Sequence, residues 1–205
     1  MSALSRIKVI LSTQNPSKPL QIETLLNDNR FEITSLGSLG ITEEVIEDGE
    51  ALEANALKKA VVGLQKTGIC SLAEDTGLFI DALDGRPGIY AARWVGHGAT
   101  TEEIVAHTLK ELYGVPLPKR TATFKTMAVA AFPDGTTVTC EGSVTGKILE
   151  QPRSTPQPGM HYSILFQPNG HDKVWSEMST DEQNLISHRG QAFRKLRGAL
   201  IDKLL

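Results

Sequence analysis

The sequence predicts an α/β protein with one long mixed sheet flanked by helices, folded as a single bilobed domain over residues 1–205. Three observations carry that prediction. Short β-rich runs alternate with helical apolar spacing in the first half, two long β-branched runs meet at a tight turn in the middle, and the chain closes on a helical pattern. A length of 205 residues is enough to bury a substantial core in one or two lobes.

The elements follow in chain order. Ile7-Lys8-Val9-Ile10-Leu11 reads as a strand, Ser12 to Lys18 as a polar turn, and Leu20, Ile22, Leu25 and Leu26 as the apolar stripe of a helix. Phe31 to Leu36 is a second strand, and the acidic stretch Glu43 to Glu50 leads into a helix over Ala51 to Thr67 that Gly68 stops. Ile69 to Ala73 predicts a buried strand that delivers Glu74-Asp75-Thr76-Gly77 where it leaves the core, with Leu78 to Ile80 extended beyond. Asp84-Gly85-Arg86-Pro87-Gly88 is a turn cluster. Thr101 to Tyr113 predicts an amphipathic helix with Thr101 available as its cap, ended by Pro116 and Pro118. Thr121 to Phe132 and Thr136 to Leu149 predict strands joined at Pro133-Asp134-Gly135, read as the second lobe's sheet. Gln151 to Gly159 holds three prolines and reads as a loop, Tyr162 to Phe166 as a strand, and Thr180 to Leu205 as helical, with Phe193, Leu196, Leu200 and Leu204 in register.

Composition excludes several function classes. With 40% hydrophobic and 22% charged residues and no long apolar run, neither a disordered nor a membrane-spanning chain is expected. The 21 basic against 24 acidic residues give a net charge of -3, so no overall positive field exists to hold a nucleic acid. Cys70 and Cys140 are too few for a disulfide framework or a zinc site, and no secretory signal is evident. A soluble, cytoplasmic protein with reduced thiols is expected.

Three loops could carry chemistry. In Ser12 to Lys18, a strand-to-helix turn offers backbone N–H groups at the positive end of a helix, with Asn15, Ser17 and Lys18 as further donors; it is either a phosphate site or an ordinary helix start. It lacks the glycines of a Walker loop. Glu74 and Asp75 could hold a hard cation such as Mg²⁺ or orient a water, or simply form a polar turn. Ser187-His188-Arg189-Gly190 sets an imidazole beside a guanidinium, at a junction that could equally be a solvated one. Together they have the composition of a nucleoside triphosphate site.

Their order and wording resemble the inosine triphosphate pyrophosphatase family, which hydrolyses non-standard purine triphosphates (ITP, dITP, XTP) to the monophosphate and pyrophosphate. Ser12-Thr13-Gln14-Asn15-Pro16-Ser17-Lys18 matches its T/S-x-x-N-x-x-K loop, and Ala73-Glu74-Asp75-Thr76-Gly77-Leu78 its A-[DE]-D-[ST]-G-L segment. Pro87-Gly88-Ile89-Tyr90-Ala91-Ala92-Arg93 matches P-G-[IV]-x-[ST]-A-R, and Ser187-His188-Arg189-Gly190-Gln191-Ala192 matches S-H-R-x-x-A. The resemblance runs from Ile7 to the C-terminal helix. It implies a site in a cleft between the lobes, a Mg²⁺ cofactor and a homodimer. It implies that Asn15 and Lys18 hold the phosphates, that Ser12 also binds the substrate, that Lys59 faces the site as a family lysine does, that Asp75 is catalytic, and that Thr76 supports the substrate. Ser187, His188 and Arg189 would then meet the six-position oxygen of a keto purine; an oxo group accepts what they donate, whereas the amino group of adenine does not.

The sequence departs from the family at the metal and the base. The family glutamate before the helix asparagine is Ala54 here, and Glu50, one helical turn earlier, is its expected substitute beside Glu74 and Asp75. The base-stacking segment G-F-G-[YW]-D-P reads Gly159-Met160-His161-Tyr162-Ser163-Ile164, so Met160, His161 and Tyr162 are expected to line a reshaped pocket. A family lysine is Gln183. Two readings stay open: a pyrophosphatase with altered substrate preference, and a nucleotide-binding protein of the same fold with impaired catalysis.

Overall fold

The computed structural model describes residues 6–14, 18–43 and 45–205. Its strands are β1 (Ile7–Leu11), β2 (Phe31–Ser35), β3 (Ser71–Ile80), β4 (Pro87–Gly88), β5 (Thr121–Ala131), β6 (Thr137–Ile148) and β7 (Phe166–Pro168). Its helices are α1 (Lys18–Leu26), α2 (Leu52–Thr67), α3 (Thr101–Glu111), α4 (Thr180–Ile186) and α5 (His188–Leu204). The strands form one mixed sheet in the order β2-β1-β3-β5-β6-β7, with β4 beside β3. Strand β1 runs parallel to β2 and β3, while β4 and β7 are antiparallel to β3 and β6. The predicted mixed α/β sheet with flanking helices is what the chain forms.

The chain divides into two compact units. The first comprises 1–75, 126–142 and 188–205. Its strands alternate faces, so neighbouring residues feed different cores. Leu72, Ala128, Ala130 and Phe132 pack with Ile22, Leu25 and Leu26 of α1 and Phe193, Leu196 and Leu200 of α5. Ala73, Val129 and Ala131 pack on the other face with Ala56 and Ala60 of α2. Small residues there let α2 lie close to the sheet. Gly68 ends α2 in a left-handed conformation, its amide donating to the carbonyl of Leu64, as a glycine C-cap does.

The second unit comprises 76–125 and 143–187. Its core joins Leu78 and Ile80 of β3, Ile104 and Val105 of α3, and Tyr162, Ile164, Leu165, Phe166 and Trp175. The ring of Phe124 meets Tyr162 and Phe166 edge-on.

Several expectations are corrected. Leu20 is 71% exposed, and only Ile22, Leu25 and Leu26 form the buried stripe of α1. The cap of α3 is Thr100, whose hydroxyl accepts from the Glu103 amide in a capping box; Thr101 is already helical. Of the strand expected over Tyr162 to Phe166, residues 161–164 form a 3₁₀ turn and Phe166 opens β7; Tyr162 and Ile164 are buried together in one core rather than alternating along a strand. The two paired strands β5 and β6 do not belong to one lobe: 126–142 lies in the first unit. Among the described residues, no helix is long and apolar enough to cross a membrane.

Candidate functional site

Glu74 and Asp75 lie inside β3, not at its end. Consecutive strand residues point to opposite faces, so the two carboxylates cannot act as one pair. Glu74 shares the face of Leu72 with α1 and α5, and Asp75 shares that of Ala73 with α2. The β1–β3 register ends at Leu11 and Leu72. Glu74 and Asp75 therefore follow directly after the carboxyl end of β1, where a neighbouring parallel strand no longer screens them.

On the first face, Glu74 is buried and joins two cations. Its Oε1 lies 3.1 Å from Lys18 Nζ at the start of α1, and its Oε2 accepts from Arg189 Nε at 2.6 Å in the first turn of α5. Burial raises the Glu74 pKa, but the charges of Arg189 and Lys18 outweigh it and hold the carboxyl well below the usual range. His188 lies beside Arg189, its Nδ1 2.6 Å from the hydroxyl of Thr126 on β5. Burial, reinforced by the Arg189 charge and opposed by Glu74, pushes the imidazole down to about 3.

That shift has a sign in stability. An unfolded chain takes up a proton at His188 near pH 6.5, while the folded chain refuses it until about 3, so stability is complete above the unfolded value and falls as the pH drops through that window. Between pH 6.5 and 5 the loss is roughly 2 kcal/mol. Urea unfolding across this range is expected to show the loss in the parent chain and a shallower slope in His188→Gln; equal slopes would refute it.

On the opposite face, Asp75 meets α2. Its Oδ2 accepts from Asn55 Nδ2 at 3.1 Å, and its Oδ1 lies 3.5 Å from Lys59 Nζ. Asn55 and Lys59 are one helical turn apart and so share that face. Lys59 also binds Glu47 Oε1 at 2.6 Å. Burial raises the Asp75 pKa, Lys59 and Asn55 lower it, Glu47 raises it, and the net shift is upward. The two carboxylates thus share one ammonium. Their oxygen donors suit a hard divalent cation, and since no group of three His, Cys, Asp or Glu converges among the described residues, its other ligands would be water and phosphate.

Asn15 is outside the described residues. Ser12 follows β1, buried, its amide donating to the Leu72 carbonyl and its hydroxyl without a partner among the described residues. Glu50 is exposed and precedes the α2 cap Ala51, so the helical-face argument for it fails. Thr76 lies in β3, on the second-unit side of the division. In that unit, Met160 packs on the core. His161 Nδ1 lies 2.9 Å from Thr101 Oγ1, and the buried Tyr162 hydroxyl donates to the Ala91 carbonyl at 3.0 Å. Gln183 donates to the carbonyls of Trp175 and Met178, and Ser187 caps the end of α4.

Sequence reading missed Glu47 and Thr126. Glu47 was one acid in an acidic stretch, but Gly49 signals its position. The Gly49 amide donates to Asn55 Oδ1 at 2.8 Å, and a Cβ on residue 49 would lie 2.7 Å from that oxygen, so this glycine brings the stretch back onto α2. Thr126 gave no local signal; only its parity with Ala128 and Ala130 places it facing α5.

A family model described as the Ham1 family matches residues 9–199. The dITP/XTP pyrophosphatase of Thermoanaerobacter pseudethanolicus is 38% identical over 198 residues, covering 97% of this chain and 98% of that protein. That of Bacillus subtilis is 36% identical over 189 residues, covering 92% and 94%. The Staphylococcus aureus Ham1 protein structure has a TM-score of 0.85 at 26% identity, covering 96% of this chain and 99% of that one.

Proposed function

The chain belongs to the Ham1 family, and from that premise we propose that it is a pyrophosphohydrolase that converts deaminated purine nucleoside triphosphates such as ITP, dITP and XTP to the monophosphate and pyrophosphate. The observation that carries the reading is the grouping of Lys18, Arg189, Lys59 and Asp75 around the carboxyl end of β1, on both faces of β3. Such strand ends are where open α/β sheets bind ligands. The relatives named dITP/XTP pyrophosphatases support the same substrate class.

In this reading the triphosphate lies across the end of β1. Lys18 meets its charge, as the α1 start is electropositive. Asp75 orients a water and accepts its proton. The water oxygen bonds to the α-phosphorus, the bond from that phosphorus to the bridging oxygen breaks, and pyrophosphate leaves. Lys59 neutralises developing charge. Asp75 and Glu47 would hold a Mg²⁺ ion, which would supply charge neutralisation on the phosphates. Glu74, with both oxygens on cations, anchors Lys18 and Arg189 rather than a metal. His188 and Arg189 donate to the six-position oxygen of the base.

The same reading takes the working form to be a cytoplasmic homodimer, which light scattering tests. A pyrophosphate-release screen over nucleoside triphosphates with Mg²⁺ tests the function. Release from ITP, dITP and XTP well above that from ATP is expected; binding of these nucleotides without release from any would overturn the enzyme reading.

A further inference from the structure

We propose that Thr126 is a positioning residue that donates its hydroxyl proton to Nδ1 of His188 and so fixes the neutral imidazole with its own proton on Nε2. The proposal rests on geometry in the first unit. Strand alternation places Thr126 on the face of Ala128, Ala130 and Phe132, against α5. The hydroxyl is fully buried and 2.6 Å from Nδ1. That separation is shorter than an N–H donor usually makes and falls within the range of O–H donors. That length favours the hydroxyl as the donor and Nδ1 as the acceptor.

The backbone holds the ring in that position as well. Gly142 on β6 faces the first turn of α5, where a Cβ would meet the His188 carbonyl and lie 2.7 Å from the Ala192 amide nitrogen. The absent side chain lets this turn seat on the sheet, so His188 reaches Thr126 without extending away from its helix. Two strands thus set one ring: β6 by leaving room, β5 by a directed hydrogen bond.

A neutral imidazole has one donor and one acceptor nitrogen, and which is which follows from the bond the other makes. With Nδ1 accepting, His188 presents Nε2–H as a donor. With Nδ1 protonated, Nε2 would be an acceptor and would favour an amino group over an oxo group. On the functional reading above, on which this consequence rests, Thr126 thereby sets, through the imidazole, which base edge His188 accepts.

Long-range ¹H–¹⁵N correlation spectra of the ¹⁵N-labelled protein at neutral pH read the tautomer directly. The parent chain and Thr126→Ser are expected to show His188 with an unprotonated Nδ1 and a protonated Nε2. Thr126→Val, which keeps the shape and removes the hydroxyl, is expected to show a mixed or reversed tautomer. The ratio of kcat/KM for ITP over ATP is expected to fall about tenfold in Thr126→Val and to stay within about twofold in Thr126→Ser. A protonated Nδ1 in the parent chain overturns the proposal, as does a Thr126→Val protein with unchanged tautomer. Failure of the parent chain to hydrolyse ITP would sink the functional reading instead, and the spectra would still decide the tautomer.

Discussion

Asp75→Asn is expected to lower the turnover of pyrophosphate release by about 10²-fold or more, with folding intact. The two parts of that expectation have one cause. Asp75 is half-buried in β3, and the burial that lifts its pKa also makes its ionised form costly to keep. Asparagine keeps the shape and an oxygen for Asn55 Nδ2, which now lies 3.1 Å from Oδ2, and Lys59 keeps its bond to Glu47. The variant loses the ionisable carboxyl without leaving an orphan charge, so its unfolding free energy should match that of the parent within about 0.5 kcal/mol or exceed it. Steady-state rates with ITP and urea unfolding on the same preparation provide the test. Unchanged turnover would remove Asp75 from the chemistry, and a collapsed fold would make it a structural residue.

Glu74→Gln is expected to do the reverse, with stability as its first casualty. The carboxylate holds Lys18 and Arg189 through separate oxygens, and an amide can accept from only one of them while its NH₂ faces the other. Breaking a buried ion pair from one side costs about 3–5 kcal/mol. Lys18 is a third exposed and water meets part of its need, so a loss of roughly 2–3 kcal/mol is expected here. Because the Glu74 pKa is depressed, its contribution is present above the ordinary carboxylate value and disappears as the pH falls below it; parent and variant should therefore converge in stability in acid. Chemical unfolding at neutral and acidic pH measures this, and a parent–variant difference that does not shrink in acid would contradict it.

These opposite outcomes for adjacent residues show what was legible in the sequence and what was not. Ile7 to Leu11, the helix stopped by Gly68 and the Pro133-Asp134-Gly135 connection declare themselves locally, through alternation, a left-handed glycine and turn chemistry. Glu-Asp-Thr-Gly has the composition of a turn, yet β3 carries it through as ten residues of strand. Its polar residues are tolerated there because Lys18, Arg189, Asn55 and Lys59 come from distant segments to meet them. No local pattern contains those partners. The same holds for Glu47, which only the return of Gly49 onto α2 distinguishes from its acidic neighbours. The grouping of Lys18, His188 and Arg189 was legible through wording alone, while the division of labour between Glu74 and Asp75 required the pleat.

The first unit is assembled from three stretches of chain, and α5 is the last of them to be made. Arg189 is synthesised 115 residues after Glu74, its partner. A nascent chain on the ribosome therefore holds Val9, Leu11, Leu72 and Phe132 ready for Phe193, Leu196 and Leu200 that do not yet exist. Through that interval the apolar face awaiting α5 is exposed and prone to aggregation, and Glu74 still lacks the guanidinium of Arg189. Birth order thus makes the guanidinium of Arg189 a closing step: the charge that completes the pairing of Glu74 arrives on the same helix that seals the core, so a chain released before it can have neither.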